Sequence, residues 1–161
     1  MAETDDTTWG QHLVGLRDEL ASWNNLEEWP YGNVHVRKMP WINQETDVTP
    51  IVLIWQLPER RQREGMIGLS DFRLRAGVAV IRAANRDQES NLGTSALWRQ
   101  TLLTAFDRSR ILAPRVEGLM ASEVEPGLPQ DAAIFVNKNY DAQYFIVQSR
   151  VRVVPAARPV L

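Results

Sequence analysis

Apolar residues recur along this chain in two periods, and the change from one to the other marks its elements. Trp9, Leu13, Leu16, Leu20 and Trp23 follow one another at steps of four, three, four and three, the stripe of a one-sided helix. That spacing predicts a helix from Thr7 or Thr8 to the pair Asn24 and Asn25, with Arg17, Asp18 and Glu19 off the stripe. A second helix is predicted over 94–108. There Trp98, Leu102, Ala105 and Phe106 form the stripe, Leu97 and Leu103 widen it, and Arg99, Gln100, Asp107 and Arg108 lie opposite. Thr94 or Ser95 is its expected N-cap.

Elsewhere the period is two. A short strand is predicted over 34–38, where Val34 and Val36 alternate with His35 and Arg37. The nearly continuous apolar run 51–57 predicts a strand covered on both faces, interrupted by Pro58. Beyond it the wholly polar 59–64 (ERRQRE) reads as a hairpin arm or an exposed loop. From Asp71, Phe72, Leu74, Ala76, Val78 and Val80 take one face of a long strand. Arg73, Arg75, Gly77, Ala79 and Ile81 take the other, which is charged at its start and apolar at its end. Further strands are predicted over 116–125 and 142–154. In the last, Phe145, Val147, Ser149, Val151 and Val153 share a side. The segment 128–139 is compatible with helical turns or a strand.

The resulting order is helix, short strand, strand, strand, helix, strand, strand. It predicts one α+β domain over 1–161, with a short tail at 1–6 and an extended arm at 155–161. Its sheet is expected to be mixed, mostly antiparallel and of four to five strands, with the two main helices packed on one face. The other face, if as apolar as 51–55, would need a cover that a neighbouring subunit could supply.

Whole-chain numbers narrow the classes. The 161 residues suit one domain, and 44% hydrophobic with 24% charged residues is ordinary globular composition. No apolar run approaches the length of a membrane span, and the acidic start MAETDDTT lacks the form of a signal peptide. With no cysteine, disulfides, thiolate nucleophiles and cysteine-held metals are excluded. A net charge of −2 argues against a general nucleic-acid binder. Six tryptophans raise the possibility of assembly, because Trp is enriched at interface cores as well as interiors.

Candidate chemistry is sparse. His12 and His35 are the only histidines; they sit in no metal-binding arrangement and read as surface or boundary residues. No serine lies in a nucleophile elbow, and the glycines form no phosphate-binding loop. Glu123 and Glu125 alternate on one strand face, which suits a paired-carboxylate site but more often marks a solvated strand end. The basic cluster Arg60, Arg61 and Arg63, followed by Arg73 and Arg75, has three readings. In order of preference these are a solvated hairpin, a contact with an acidic partner or subunit, and phosphate contact. Trp29, Tyr31 and Trp41 surround a proline-rich loop and suit core packing, a subunit contact or a ligand platform.

The succession of these pieces resembles a known family. An N-terminal helix, an apolar strand and a strongly alternating strand precede a polar loop and the helix LWRQTLLTAFDRSRIL. A strand ending in VEP and a final strand in NYDAQYFIVQSRVRV complete the pattern. Over roughly residues 10–153 this is similar to the neck proteins of long-tailed bacteriophages, and most to their tail terminators. Related neck and tail-completion proteins, and the equivalents in tail-like particles, share the plan.

Membership would imply a virion protein made in the bacterial host cytoplasm, with neither catalysis nor a cofactor. It would form a homo-oligomeric ring, usually a hexamer, that caps the tail tube and meets the head connector or stopper protein. DNA would pass through the ring without specific contact, and no membrane is involved. The contacts expected on that reading are Trp41, Arg60, Arg61, Arg63 and Arg86, with the terminal arm carrying Pro155, Arg158 and Leu161. Two other classes remain open: a cytoplasmic ligand-binding or regulatory domain with the 29–41 loop as pocket lip, and a small hydrolase or transferase using Glu123 and Glu125.

Overall fold

The computed structural model describes residues 7–62, 70–83, 92–127 and 140–153. Two helices, α1 (Thr8–Ala21) and α2 (Leu92–Ala105), accompany five strands: β1 (Val34–Val36), β2 (Ile51–Gln62), β3 (Ser70–Ala83), β4 (Leu119–Pro126) and β5 (Tyr140–Val153). The strands form one sheet in the order β1-β2-β3-β5-β4, with β1 parallel to β2 and every other pairing antiparallel. This is the expected α+β class and element order.

The register separates the side chains into two sets. Val52 and Ile54 of β2 pair with Val80 and Val78 of β3, which pair in turn with Gln143 and Phe145 of β5. These positions share one face, and their apolar members join Leu13, Leu16 and Leu20 of α1 and Trp98 and Leu102 of α2 in a single core cluster. The intervening positions form a second cluster: Ile51, Leu53, Trp55, Ala79, Ile81, Tyr144 and Ile146. Ile51, Leu53, Ala79 and Ile81 are fully buried within the single chain. The second face therefore needs no neighbouring subunit at its apolar end, and that argument for assembly falls away.

Local chemistry explains where the elements begin and end. Thr7 caps α1 in an extended conformation, its hydroxyl accepting from the Gly10 N–H at 3.0 Å. At the other end Ser22 closes the helix, before the expected Asn24, and the Trp29 indole donates to the Leu20 carbonyl of the last turn at 2.8 Å. The second helix has begun by Leu92, so Thr94 and Ser95 lie in its first turn and are not its cap. It ends at Ala105, and Arg108 turns the chain with φ of 48°. Strand β4 starts at Leu119, three residues after the expected Val116, because 111–118 runs as turns that end on Gly118. There φ is +76°, and a Cβ would strike the Arg152 carbonyl.

Pro58 does not stop β2. The register shifts between Leu57 and Arg60, and pairing resumes with Arg60 opposite Arg73. Such a bulge accommodates a residue without an N–H, so the polar stretch continues the strand as far as Gln62, paired with β3.

Gly77 holds the second face together by having no side chain. The Trp55 ring lies where its Cβ would be and stacks on Tyr144, with centroids 5.4 Å apart and planes 13° from parallel. Gly77→Ala is expected to push Trp55 out of this seat and destabilise the fold by about 1–3 kcal/mol, the usual cost of overpacking. Urea unfolding followed by circular dichroism measures this, and an unchanged midpoint would show that the ring has room to move.

Candidate functional site

Past the bulge, the second sheet face changes from apolar to charged. Arg73 of β3 lies directly opposite Arg150 of β5, and Arg60 of β2 lies opposite Arg73 from the other side. One pair further out, Asp71 faces Arg152, and one pair back, Arg75 faces Gln148. On β4, Ala121, Glu123 and Glu125 pair with Arg150, Gln148 and Ile146, so both glutamates share this face.

Two carboxylates partly balance these cations. Asp71, almost fully buried, accepts from Arg152 Nε at 3.0 Å, and that guanidinium holds its carboxyl below the usual carboxylate range. Glu125, on the exposed edge strand, lies 3.9 Å from Arg75. Arg75 Nε itself is buried with no hydrogen-bond partner among the described residues. Beside the edge, Asp107, Arg108, Glu123, Glu125 and Gln148 line an open cleft of about 320 Å³.

A second polar feature runs through the core. His12 of α1 reaches the first sheet face, where its Nε2 lies 2.8 Å from Ser149 Oγ. Ser149 Oγ lies 3.0 Å from Ser122 Oγ on the neighbouring strand, and all three residues are buried. Histidine beside serine suggests a nucleophile and its base. Here both hydroxyls are fully buried, so no substrate carbonyl can reach them. The thread is structural: an imidazole and two hydroxyls satisfy one another where α1 crosses β5 and β4. Burial lowers the His12 pKa from 6.5 to about 4, so the ring is neutral.

The third feature is the segment from Tyr31 to Val48. Arg37 grips both carboxylate oxygens of Asp47, at 2.6 and 2.7 Å, and also donates to the Trp41 carbonyl at 2.8 Å. This clasp holds the Asp47 carboxyl down at about 2. Asn33 reaches across to the Val48 and Pro50 carbonyls at 2.6 and 3.0 Å. The loop so pinned carries Tyr31, Met39, Trp41 and Val48, all exposed, with Trp41 at 64%.

No family model and no curated protein matches this chain.

The structure thus treats the sequence-stated candidates unequally. Trp41 projects from its pinned loop. Arg60 and Arg61 belong to β2, opposite Arg73 and Phe72. Arg63, Arg86, Pro155, Arg158 and Leu161 lie outside the described residues. Trp29 leaves the proposed pocket lip altogether: it is buried, 5.5 Å from both Trp23 and Trp98. Trp9, Trp23, Trp29, Trp55 and Trp98 all join or pack against the two core clusters, so the tryptophan count is an interior property. Glu123 and Glu125 share a face as expected, but at an exposed edge.

Sequence reasoning missed Arg150 and Arg152, which converge on Arg73 only through the β3–β5 register. It also placed His12 at the boundary, whereas the residue is buried. A signal was present. Ser149 falls on the apolar side of an alternating strand, where a buried hydroxyl requires a partner.

The buried imidazole makes stability pH-dependent in a defined window. Unfolded His12 takes up a proton below its ordinary 6.5, while the folded ring resists until about 4. Stability is then full above the first value and falls as pH drops toward the second, by about 1.4 kcal/mol per unit and about 3 kcal/mol in all. Asp47 and Asp71, with pKa values below the ordinary 3.8, lose their contributions only at still lower pH. Urea titrations at pH 7, 5.5 and 4 should show the loss in the wild type and a flatter profile in His12→Gln. Equal slopes in the two proteins would assign it to other groups.

Proposed function

We propose that this chain is a structural component of the neck of a long-tailed bacteriophage or tail-like particle. Its best assignment is a tail terminator, forming a homo-oligomeric ring that caps the tail tube and joins it to the head connector. Another neck or tail-completion component is the nearest variant of this reading. The support begins with the resemblance in element order, which the five-stranded α+β architecture accommodates.

The observation that carries the reading is the division of the second sheet face. Strands β2, β3 and β5 continue beyond the buried apolar half into a charged surface bearing Arg73, Arg150 and Arg152, beside Glu123 and Glu125. A broad array of opposite charges on paired strands suits contact with another protein surface. Small-molecule pockets are enclosed and mostly apolar, with few polar groups aimed inward. The pinned loop with Trp41 supplies an aromatic anchor of the kind that dominates protein interfaces.

The ligand-binding alternative loses Trp29 to the core. The enzyme alternative rests on two edge carboxylates, one of them already paired with Arg75.

The reading is tested by mass measurement of the purified protein over a wide concentration range, followed by negative-stain imaging with isolated tail tubes. Closed rings, free or seated on tube ends, are expected. A protein that remains monomeric at every concentration and leaves tubes undecorated would sink the proposal.

A further inference from the structure

The pinned loop and an apolar groove beside it carry a more specific conclusion, which rests on the self-assembly reading above. We propose that Trp41 of one copy of the chain seats in the groove of a second copy, at the open edge of β2 beyond the end of β1.

Chain topology makes the groove. β1 pairs only with Val52, Leu53 and Ile54 of the twelve-residue β2. The last backbone bond between them runs from the Arg37 N–H to the Ile54 carbonyl at 2.8 Å. The chain then enters the clasped loop, and no described strand continues alongside β2. A space of about 520 Å³ lies there, with Leu13, Val36, Leu57 and Pro58 as its apolar lining and Lys38 and Glu59 beside them. Sites that enclose a drug-sized ligand measure about 300–1,000 Å³, so this one has room for an indole.

Strand alternation adds one polar feature. The Val52 N–H donates to the Asn33 carbonyl at 3.0 Å, so Val52 and Ile54 both turn their backbone groups toward the β1 side. Gln56, two residues on, turns its N–H and carbonyl to the same side, where the edge is open. A buried indole has a large apolar body and one N–H that needs an acceptor. The groove supplies the apolar walls, and the Gln56 carbonyl supplies the acceptor.

Trp41 is held in the matching form. Its carbonyl accepts from Arg37, its own N–H donates to the Met39 carbonyl at 2.9 Å, and the Asn43 N–H donates to Asp47 at 2.7 Å. The backbone is thus ordered before contact, which lowers the conformational cost of binding. Its side chain is exposed, whereas the other five tryptophans join or pack against the core clusters. Met39 and Val48, exposed on the same loop, add aliphatic surface.

Charge and adjacency choose the partner. An anionic membrane or a nucleic acid favours a basic excess beside the aromatic. Here exposed Lys38 is matched by exposed Glu45, and Arg37 is neutralised by Asp47. A second copy brings both the ring and the space that fits it. Only Met39 and Pro40 separate Lys38 at the groove from Trp41, so the two features are neighbours on each molecule. A two-fold axis between them lets two copies exchange rings reciprocally, and a head-to-tail ring uses the same contact once per junction.

The test uses the full chain with Trp41→Ala, which removes the ring, and Gln56→Arg, which fills and charges the groove. Both positions are exposed, so circular dichroism and thermal melts should match the wild type. Sedimentation velocity should show self-association in the wild type, weakened about tenfold or more in each variant. Mixed one to one, the variants retain one intact contact, the ring of Gln56→Arg in the groove of Trp41→Ala. Hetero-pairs should therefore form where neither variant pairs with itself. Iodide quenching of the wild type needs no variant and should fall as concentration rises, because Trp41 becomes covered.

Association unchanged in both variants overturns the proposal, as does a mixture without hetero-pairs. So does a wild type that stays monomeric throughout, or one that associates with its quenching unaltered. Wild-type association that survives both substitutions leaves the ring reading standing. Association that depends on Trp41 but stops at pairs, with tail tubes undecorated, refutes the ring reading and leaves this contact.

Discussion

Everything in this fold is referred to the register of β3. It pairs along one edge with β2 and along the other with β5, so its alternation fixes which side chains of three strands face which way. A slip by one residue would exchange Leu74, Ala76, Val78 and Val80 for Arg73, Arg75, Gly77 and Ala79, and would carry arginines into the main core. Gly77 locks this register from the second face. Only the glycine position accepts the Trp55 ring, and the ring's stacking on Tyr144 spans β2, β3 and β5 at once.

Buried polar groups add a second layer of specification, and they do so without reactive chemistry. The Trp29 indole satisfies a carbonyl at the end of α1, and the Trp98 indole donates to the Glu27 carbonyl at 2.8 Å. Arg82 lies 4.2 Å from the centroid of Trp98 and donates to Ser95 at 2.9 Å, tying the end of β3 to the first turn of α2. His12 does the same for α1 through Ser149. Each contact satisfies a group whose burial alone would cost free energy, so each penalises any other docking of the helix. A serine–histidine pair in this setting records how a helix is seated.

The sequence made the element order legible because periodicity is a property of single elements. Phe72 to Val80 and Phe145 to Val153 alternate so strongly that their buried sides could be assigned residue by residue. Features that depend on two distant segments were not legible. Pro58 reads as a stop until a bulge is seen to absorb it. Val116 reads as strand until the turn at Gly118 delays β4. His12 reads as peripheral because its hydroxyl partner lies 137 residues away. Arg150 and Arg152 reached the candidate surface only through pairing, whereas Arg73, Arg75, Glu123 and Glu125 had been singled out from local pattern alone.

The distribution of apolar surface constrains how such a chain can associate. Subunits of obligate assemblies commonly leave a core-like face open, and their folding is then inseparable from association. This chain buries the apolar half of both sheet faces by itself, with Ile51, Leu53 and Ile81 fully enclosed. Among the described residues it presents charge on paired strands, together with a loop whose Trp41 is held outward by the Arg37–Asp47 clasp. Charged contacts contribute chiefly to encounter rate, orientation and rejection of wrong partners, and they weaken as salt rises. An ordered aromatic loop adds local affinity without conformational cost at the moment of contact. On the proposed reading such a chain would be folded before it meets a partner, and its association would be set by geometry and charge on a finished surface.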